Sequence, residues 1–327
     1  MINSIVLVVS RIRAEFFIGI KKIVENPMKY VSLGFLLFAQ GAEAQSGENY
    51  IVHGYSVEDI NTEVSRIFKP RFESDLAEWR SKLCIDVFGL TPQFTHLFSG
   101  LLVKKFNYFN LESSSSCIDK NVFVFFTDQS DRLAAEVESK NPNLFVGYEA
   151  SPVYQSNFDG PSESIQREFL RSRAIRWLVS TAKENRESIP PLVLPSSFGP
   201  SYFSQSYDPS LVISPTRKDI HLSILIIDIE RIKNAKWVDL SDVVSMIIMS
   251  APILGESYSS ITFLKQTNEK NIPNLSLHLT DFDQLLLKNL YDLRPGEDAR
   301  SAVGYISERI WQETSRQKRP EGNIQEN

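Results

Sequence analysis

Asn121-Val122-Phe123-Val124-Phe125-Phe126 places five consecutive apolar residues between the polar Asn121 and the pair Thr127-Asp128. An unbroken apolar run of this length reads as a central strand buried on both faces, because a strand with one wet face alternates apolar and polar positions. Upstream, Lys82-Leu83-Cys84-Ile85-Asp86-Val87 alternates with period two and predicts a strand. Thr91-Pro92 then opens a helix carrying Phe94, Leu97, Phe98, Leu101, Leu102 and Lys105, with proline at the position where a missing N–H costs nothing. Ser113–Ser116 reads as a polar loop. Downstream, Asp128 or Ser130 is positioned to cap a helix through Leu133, Val137 and Glu138 that ends near Asn141-Pro142. Earlier in the chain, Tyr50–Gly54 predicts a short strand. Ser56 or Asp59 caps the following helix, in which Ile60, Val64, Ile67 and Phe68 recur until Pro70 stops it.

This β-α-β-α-β-α alternation predicts an α+β fold, a mixed sheet layered with helices. The pattern continues with a helix over 162–171 and a strand over 174–179. A proline-rich surface excursion follows over 185–210, then the strong strand His221-Leu222-Ser223-Ile224-Leu225-Ile226-Ile227-Asp228. Helices near 239–251, 280–292 and 297–315 give a helical C-terminal part, and the polar stretch from 316 to 327 reads as a disordered tail. No repeat of fixed period is present. The expectation is a single domain over 45–315.

Composition bounds the function classes. The 327 residues hold 14 Gly and 16 Pro, far below the share that marks low-complexity chains, and 42% are apolar, enough for a packed core. With 35 Lys+Arg against 40 Asp+Glu the formal charge is −5, which provides no broad electropositive footprint for nucleic acid.

The first 44 residues read as a signal region. Met28-Lys29, the apolar run Tyr30–Ala39 and the small-residue sequence Ala42-Glu43-Ala44 form a secretory signal proper over 28–44, cleaved after Ala44. A short membrane anchor is the alternative, although the run is about half the roughly 20 residues a spanning helix needs. Arg11, Arg13, Glu15, Lys21, Lys22 and Glu25 interrupt the preceding apolar stretches. Translation from Met28 is one reading of this, and an amphipathic helix on the membrane over residues 5–20 is the other. Cleavage leaves 30 basic and 37 acidic residues, a net charge near −7, with no later run able to span a bilayer.

Both cysteines, Cys84 and Cys117, fall in the exported part. In an oxidising compartment a lone pair is most simply a disulfide. Neither has a neighbouring His and their spacing is not that of a CxxC unit, which argues against a reactive thiolate or a metal ligand.

The chemistry-bearing motifs are sparse. His53, His96, His221 and His278 are never spaced i,i+4, and HExxH, GxSxG, the P-loop and GxGxxG are all absent. His53, His96 and His221 lie in predicted regular elements and read as structural histidines. The strongest catalytic candidates are His278, Asp281 and Asp283 at a helix start, together with Asp228 and Glu230 at a strand end. Thr280-Asp281-x-Asp283 also suits helix capping. Arg167, Arg171, Arg173 and Arg176 form a basic cluster, partly neutralised by Glu163 and Glu168, that reads as a solvated face.

Taken together, Cys84, Gly89-Leu90, Cys117-x3-Asn121-Val122, Asp128, Arg176-Trp177, Leu279–Asp283 and Leu285-Leu286-Leu287-x-x-Leu290-Tyr291-Asp292 resemble an uncharacterised family of secreted proteobacterial proteins. That family is distantly similar to zincin-like metalloprotease domains. The resemblance spans about residues 50–310. It implies that the zinc helix follows the strand ending near Asp228, at 239–251, and that helix contains neither His nor Glu. Asp242 and Ser245 cannot replace two nitrogen ligands and a general base. The expected function is therefore a secreted or periplasmic non-catalytic protein, without cofactor or metal, that binds an envelope component or another protein. The alternative is a cell-envelope hydrolase using His278, Asp281, Asp283 and Asp228.

Overall fold

The computed structural model describes residues 55–70, 75–145, 163–185, 192–196, 199–203, 216–233, 235–267, 279–293 and 297–316. All lie in the unit Tyr50–Asn327. The expected strand at 50–54, the signal region and the tail beyond 316 fall outside the described residues.

The apolar run becomes strand β3, Val122–Thr127, with Val122 through Phe126 all buried. It is flanked on one side by β1 (Leu83–Phe88), which pairs parallel with it from Ile85↔Val122 to Phe88↔Phe125. On the outer side of β1 lies β2, only Ser113–Ser114, parallel to Leu83 and Cys84. This corrects the polar loop expected there. The Leu83 N–H donates to the Glu112 carbonyl at 2.9 Å, and the Cys84–Cys117 disulfide draws the adjoining segment onto β1. Serines are poor strand formers, so here tertiary attachment overrides propensity.

On the other side of β3 lies β7, and outside β7 is β4. β4 spans Ile175–Asn185, extending well past the expected 179, and β7 spans Thr216–Asp228. β7 is parallel to β3, with Val122↔Ser223 in register. It is antiparallel to β4, with Trp177↔Leu225 in register and an irregularity at Ser180/Thr181. The sheet order β2-β1-β3-β7-β4 is thus mixed. Within the expected excursion at 185–210, β5 (Leu192–Ser196) and β6 (Gly199–Phe203) form a separate antiparallel hairpin.

Helices cover both faces. α1 (Val57–Phe68) starts with a capping box in which the Ser56 hydroxyl accepts from the Asp59 N–H and the Asp59 carboxylate accepts from the Ser56 N–H. The two alternative caps therefore act together. α2 (Pro92–Tyr108) begins with Pro92 as expected. α3 (Ser130–Lys140) has Gln129 as its N-cap residue with no side-chain cap, so neither Asp128 nor Ser130 fills that role. The Ser130 hydroxyl instead donates to Asp228 at 2.7 Å. A one-turn 3-10 helix (Pro142–Phe145) and α4 (Glu163–Leu170) follow, joined by an edge-to-face contact between Phe145 and Phe169.

The C-terminal part contains α5 (Trp237–Ser250), the short α6 (Leu264–Thr267), α7 (Asp281–Tyr291) and α8 (Ala299–Arg316). α2 and α5 share one sheet face, where Trp237 meets Phe94, Phe98 and Phe126 at centroid distances of 5.5, 5.8 and 5.9 Å. Successive side chains in a strand point to opposite faces. Trp177 of β4 accordingly reaches the α5 side and Arg176 the α3–α4 side. α7 packs on α5 and on α8, and α8 on α1. α5 is thereby enclosed between the sheet and other helices, which is the setting that a helix apolar all round requires.

Two backbone positions fix the joints. Gly89, at the end of β1, has φ +84, and a Cβ there would lie 1.8 Å from the Phe126 carbonyl oxygen. Asn121 extends the β1–β3 pairing through its side chain, accepting from the Cys84 N–H at 2.7 Å and donating to the Lys82 carbonyl at 2.9 Å.

Candidate functional site

α5 occupies the position that the sequence points to, directly after β7. Every residue from Asp239 to Ser250 is buried. Its serine hydroxyls donate back along the helix, Ser241 to Val238 at 2.6 Å, Ser245 to Asp242 at 2.8 Å and Ser250 to Met246 at 2.8 Å. They therefore bury no unmatched donor. A buried helix C-terminus leaves carbonyls without intrahelical partners. Here Ala251, in the left-handed region with φ 47, closes onto Ile247, and aromatic donors reach the Ile248 and Met249 carbonyls and that of Pro252 just beyond the helix. The Trp79 indole donates to Ile248 at 2.7 Å, the Tyr291 hydroxyl to Met249 at 2.9 Å, and the Trp177 indole to Pro252 at 2.7 Å. Burial pushes the Tyr291 phenol well up from its ordinary range, and the nearby Glu78 adds to this, so the hydroxyl stays protonated and donating.

The chemical content of α5 is limited. Its ionisable groups are Asp239 and Asp242, and Asp242 forms an ion pair with Lys105 of α2. Among the described residues, no group of three or more His, Cys, Asp or Glu side chains could hold a metal ion.

The sequence candidates separate into different networks. Asp283 is fully buried at the start of α7, completing a capping box with Thr280. It accepts from the Thr262 hydroxyl at 2.5 Å, the Phe263 N–H at 3.1 Å, the Thr280 N–H at 2.9 Å and the Thr280 hydroxyl at 2.8 Å. Burial raises its carboxyl to about 6 even though all four of these hydrogen bonds favour the charged form. Asp281 is half-buried in the same first turn, and His278 lies outside the described residues.

Asp228 ends β7 and is also buried. It accepts from the Ser130 hydroxyl and from the N–H groups of Glu230 and Arg231 at 3.0 and 3.3 Å, and pairs with the Arg231 guanidinium at 3.4 Å. The Asp228 and Asp283 partner sets share no residue. Glu230 is exposed and paired with Lys233.

The basic cluster divides: Arg167 and Arg171 are exposed, as a solvated face requires, and the other two arginines are not. Arg173 and Arg176 are buried, with side chains 4% and 0% exposed. Arg173 donates to Glu168 at 2.7 Å, and Arg176 donates to Asp131 and to the Phe169 carbonyl. Buried guanidinium groups need such counter-charges. Glu168 comes from the neighbouring helix, whereas Asp131 lies 45 positions before Arg176, beyond any local pattern. Burial acts to raise the Asp131 carboxyl, but hydrogen bonds from Arg176 and Ser172 outweigh it and hold the group below its usual range. His96 and His221 are exposed rather than housed in the core, and His53 lies outside the described residues.

Sequence reasoning missed one cluster. Asp75, Glu78 and Asp219 are all buried, and Glu78 forms a parallel bridge to Asp219 of β7. Glu78 pairs with Arg80, and the Arg217 Nε donates to both Asp219 carboxylate oxygens at 3.1 Å. Burial lifts the Glu78 carboxyl to about 7, Asp219 and Asp75 adding to the effect and Arg80 opposing it. The only sequence signal was the spacing of Leu76 and Trp79 within a charged stretch, which is too short to define an element.

The fold and these networks define an α+β protein with a mixed five-stranded sheet, a disulfide between Cys84 and Cys117, and a helix after the central strands that is buried from Asp239 to Ser250. Among the described residues no helix is long and apolar enough to cross a membrane. Comparison with family models, curated proteins and solved structures finds no match.

Proposed function

We propose that this chain is an exported, non-catalytic protein on a degenerate zincin-like scaffold, which binds a cell-envelope component or another protein. The observation that carries this reading is α5. In the position where the resemblance puts the zinc helix, the chain has Asp239–Ser250 with no His, Cys or Glu, enclosed on all sides and held at its C-terminus by Trp79, Tyr291 and Trp177. Zinc sites are built from imidazole, thiolate and carboxylate ligands, catalytic ones with an open position. The two α5 carboxylates do not supply such a set. The Cys84–Cys117 disulfide supports export, since such bonds persist in oxidising compartments. The alternative hydrolase has no observation in its favour, because Asp283 and Asp228 already spend their oxygens on capping and buried hydrogen bonds.

The test is elemental analysis of protein purified from the cell envelope, with the N-terminus sequenced. Substoichiometric zinc and a chain beginning at Gln45 are expected. Stoichiometric zinc overturns the non-catalytic reading, and an intact N-terminal segment on cytosolic protein overturns export.

A further inference from the structure

α2 carries more apolar side chains than its packing uses. Phe98, Leu102 and Phe106 are buried, and Phe98 meets Phe126 of the sheet and Trp237 of α5. A second apolar set stays outside: Phe94 is 42% exposed, Leu97 46% and Tyr108 75%, with Leu101 half-buried. With Lys104, the positions 94, 97, 101, 104 and 108 alternate spacings of three and four. That spacing puts all five side chains on one stripe of the helix, about 21 Å long. At its N-terminal end Phe94 stacks on Trp237, and the adjacent Val238 of α5, 52% exposed, widens the apolar surface. A surface helix ordinarily turns its polar residues outward. A contiguous apolar stripe in that position marks a surface that another molecule covers.

The stripe reads almost the same in both directions. Reversing the helix about Leu101 exchanges Phe94 with Tyr108 and Leu97 with Lys104, and returns Leu101 to itself. α2 contains no Asp or Glu, and its lysines are Lys104 and Lys105. Lys105 pairs with Asp242 of α5, which leaves Lys104 as the charge on the stripe. A parallel second helix would set Lys104 against its own copy. An antiparallel one lays the Lys104 stem along Leu97 and keeps the two lysine positions about 10 Å apart along the axis, roughly a Debye length. Gly100 lies at the same midpoint. It is exposed, and a Cβ there would meet nothing within 4 Å, so the isolated chain has no steric use for a residue that weakens a helix interior. Bare backbone at a crossing point lets a second helix approach closely.

We propose that α2 is a homodimerisation surface. The Phe94–Leu97–Leu101–Tyr108 stripe packs antiparallel on the same stripe of a second copy, about a two-fold axis beside Leu101, with Tyr108 against the partner's Phe94. Such a contact is isologous and closes at two copies. The inference stands independently of the zincin-like reading and of export.

Sedimentation equilibrium and cross-linking of the purified protein test this. Four turns of seam lie at the small end of stable interfaces, so a reversible dimer with a Kd of about 1–100 μM is expected. Leu97→Glu, at a position exposed in the single copy, should weaken association at least about 30-fold with an unchanged circular dichroism spectrum. Lys104→Leu completes the apolar seam and should tighten association at least about fivefold, a gain that misfolding cannot imitate. With a short bismaleimide, Leu101→Cys should link to itself. Tyr108→Cys should not, but should link to Phe94→Cys when the two proteins are mixed. A monomer throughout the micromolar range, undiminished dimerisation by Leu97→Glu, no tightening in Lys104→Leu, or self-linking of Tyr108→Cys overturns the proposal. A monomer that sediments with phosphatidylglycerol vesicles through Leu97 also overturns it, because the stripe would then cover itself with lipid.

Discussion

The Trp79 indole nitrogen lies 2.7 Å from the Ile248 carbonyl oxygen, across 169 positions of sequence, and closes the buried end of α5. The same requirement recruits Tyr291 to Met249 and Trp177 to Pro252. A buried carbonyl left without a donor carries its full desolvation penalty, about 1–3 kcal/mol. Tyr291→Phe removes one donor with almost no change of shape. It should lower stability by about 1–2 kcal/mol, read as a smaller denaturant midpoint with an unchanged slope. A midpoint equal to wild type would mean that Met249 finds another donor.

Asp283 joins α7 to the segment around Thr262 and Phe263. Asp283→Ala removes a capping box and leaves buried donors unmatched, at a cost of about 2–4 kcal/mol. Because the folded carboxyl is raised from 3.8 to about 6, its share of stability is present below about 3.8 and declines as pH climbs through about 6. Chemical denaturation at pH 4 and pH 7 should show Asp283→Asn flattening that decline. An identical slope in wild type and variant would assign it elsewhere.

At Gly89 both conformation and space exclude a side chain, with φ +84 and a Cβ position 1.8 Å from the Phe126 oxygen. The obstacle is the backbone of β3 itself, so it cannot swing aside. Gly89→Ala should cost about 2–4 kcal/mol, visible as a lower Tm. A loss under 0.5 kcal/mol would show that the β1–β3 joint yields.

The disulfide links Cys84 of β1 to Cys117, 33 positions later in the sequence, with Cα atoms 5.7 Å apart. In the chain-entropy account, a loop of this size contributes about 3–4 kcal/mol. Cys84→Ser with Cys117→Ser should lower stability by that amount and release β2, whose short pairing with Leu83 and Cys84 lies beside the bond. Thiol titration of denatured wild-type protein should find no free sulfhydryl. Two free thiols would refute the bond.

Element positions were legible where the pattern was local. The apolar run at 122–126 and the Pro92 helix start each depend on residues a few positions apart, as does the Thr280–Asp283 cap, and the structure reproduces all three. The reading failed where a partner was distant. β2 contains serines with little strand propensity and exists because β1 and a disulfide hold it. Arg176 looked solvated because its counter-ion Asp131 lies on another element. Ser130 looked like a cap because Asp228, its acceptor, is 98 positions away.

By itself the sequence determined the mixed composition of strands and helices, the pairing of its only two cysteines, and the absence of His, Cys and Glu from α5. These are properties of residue type and short-range period. Only the tertiary structure decided that α5 ends against two indoles and a phenol, that arginines sit inside the fold, and that Asp75, Glu78 and Asp219 share one dry corner. The reason is physical: burial and Coulomb interaction depend on distance in space, and a charge carries no mark in sequence of how far from water the chain will place it.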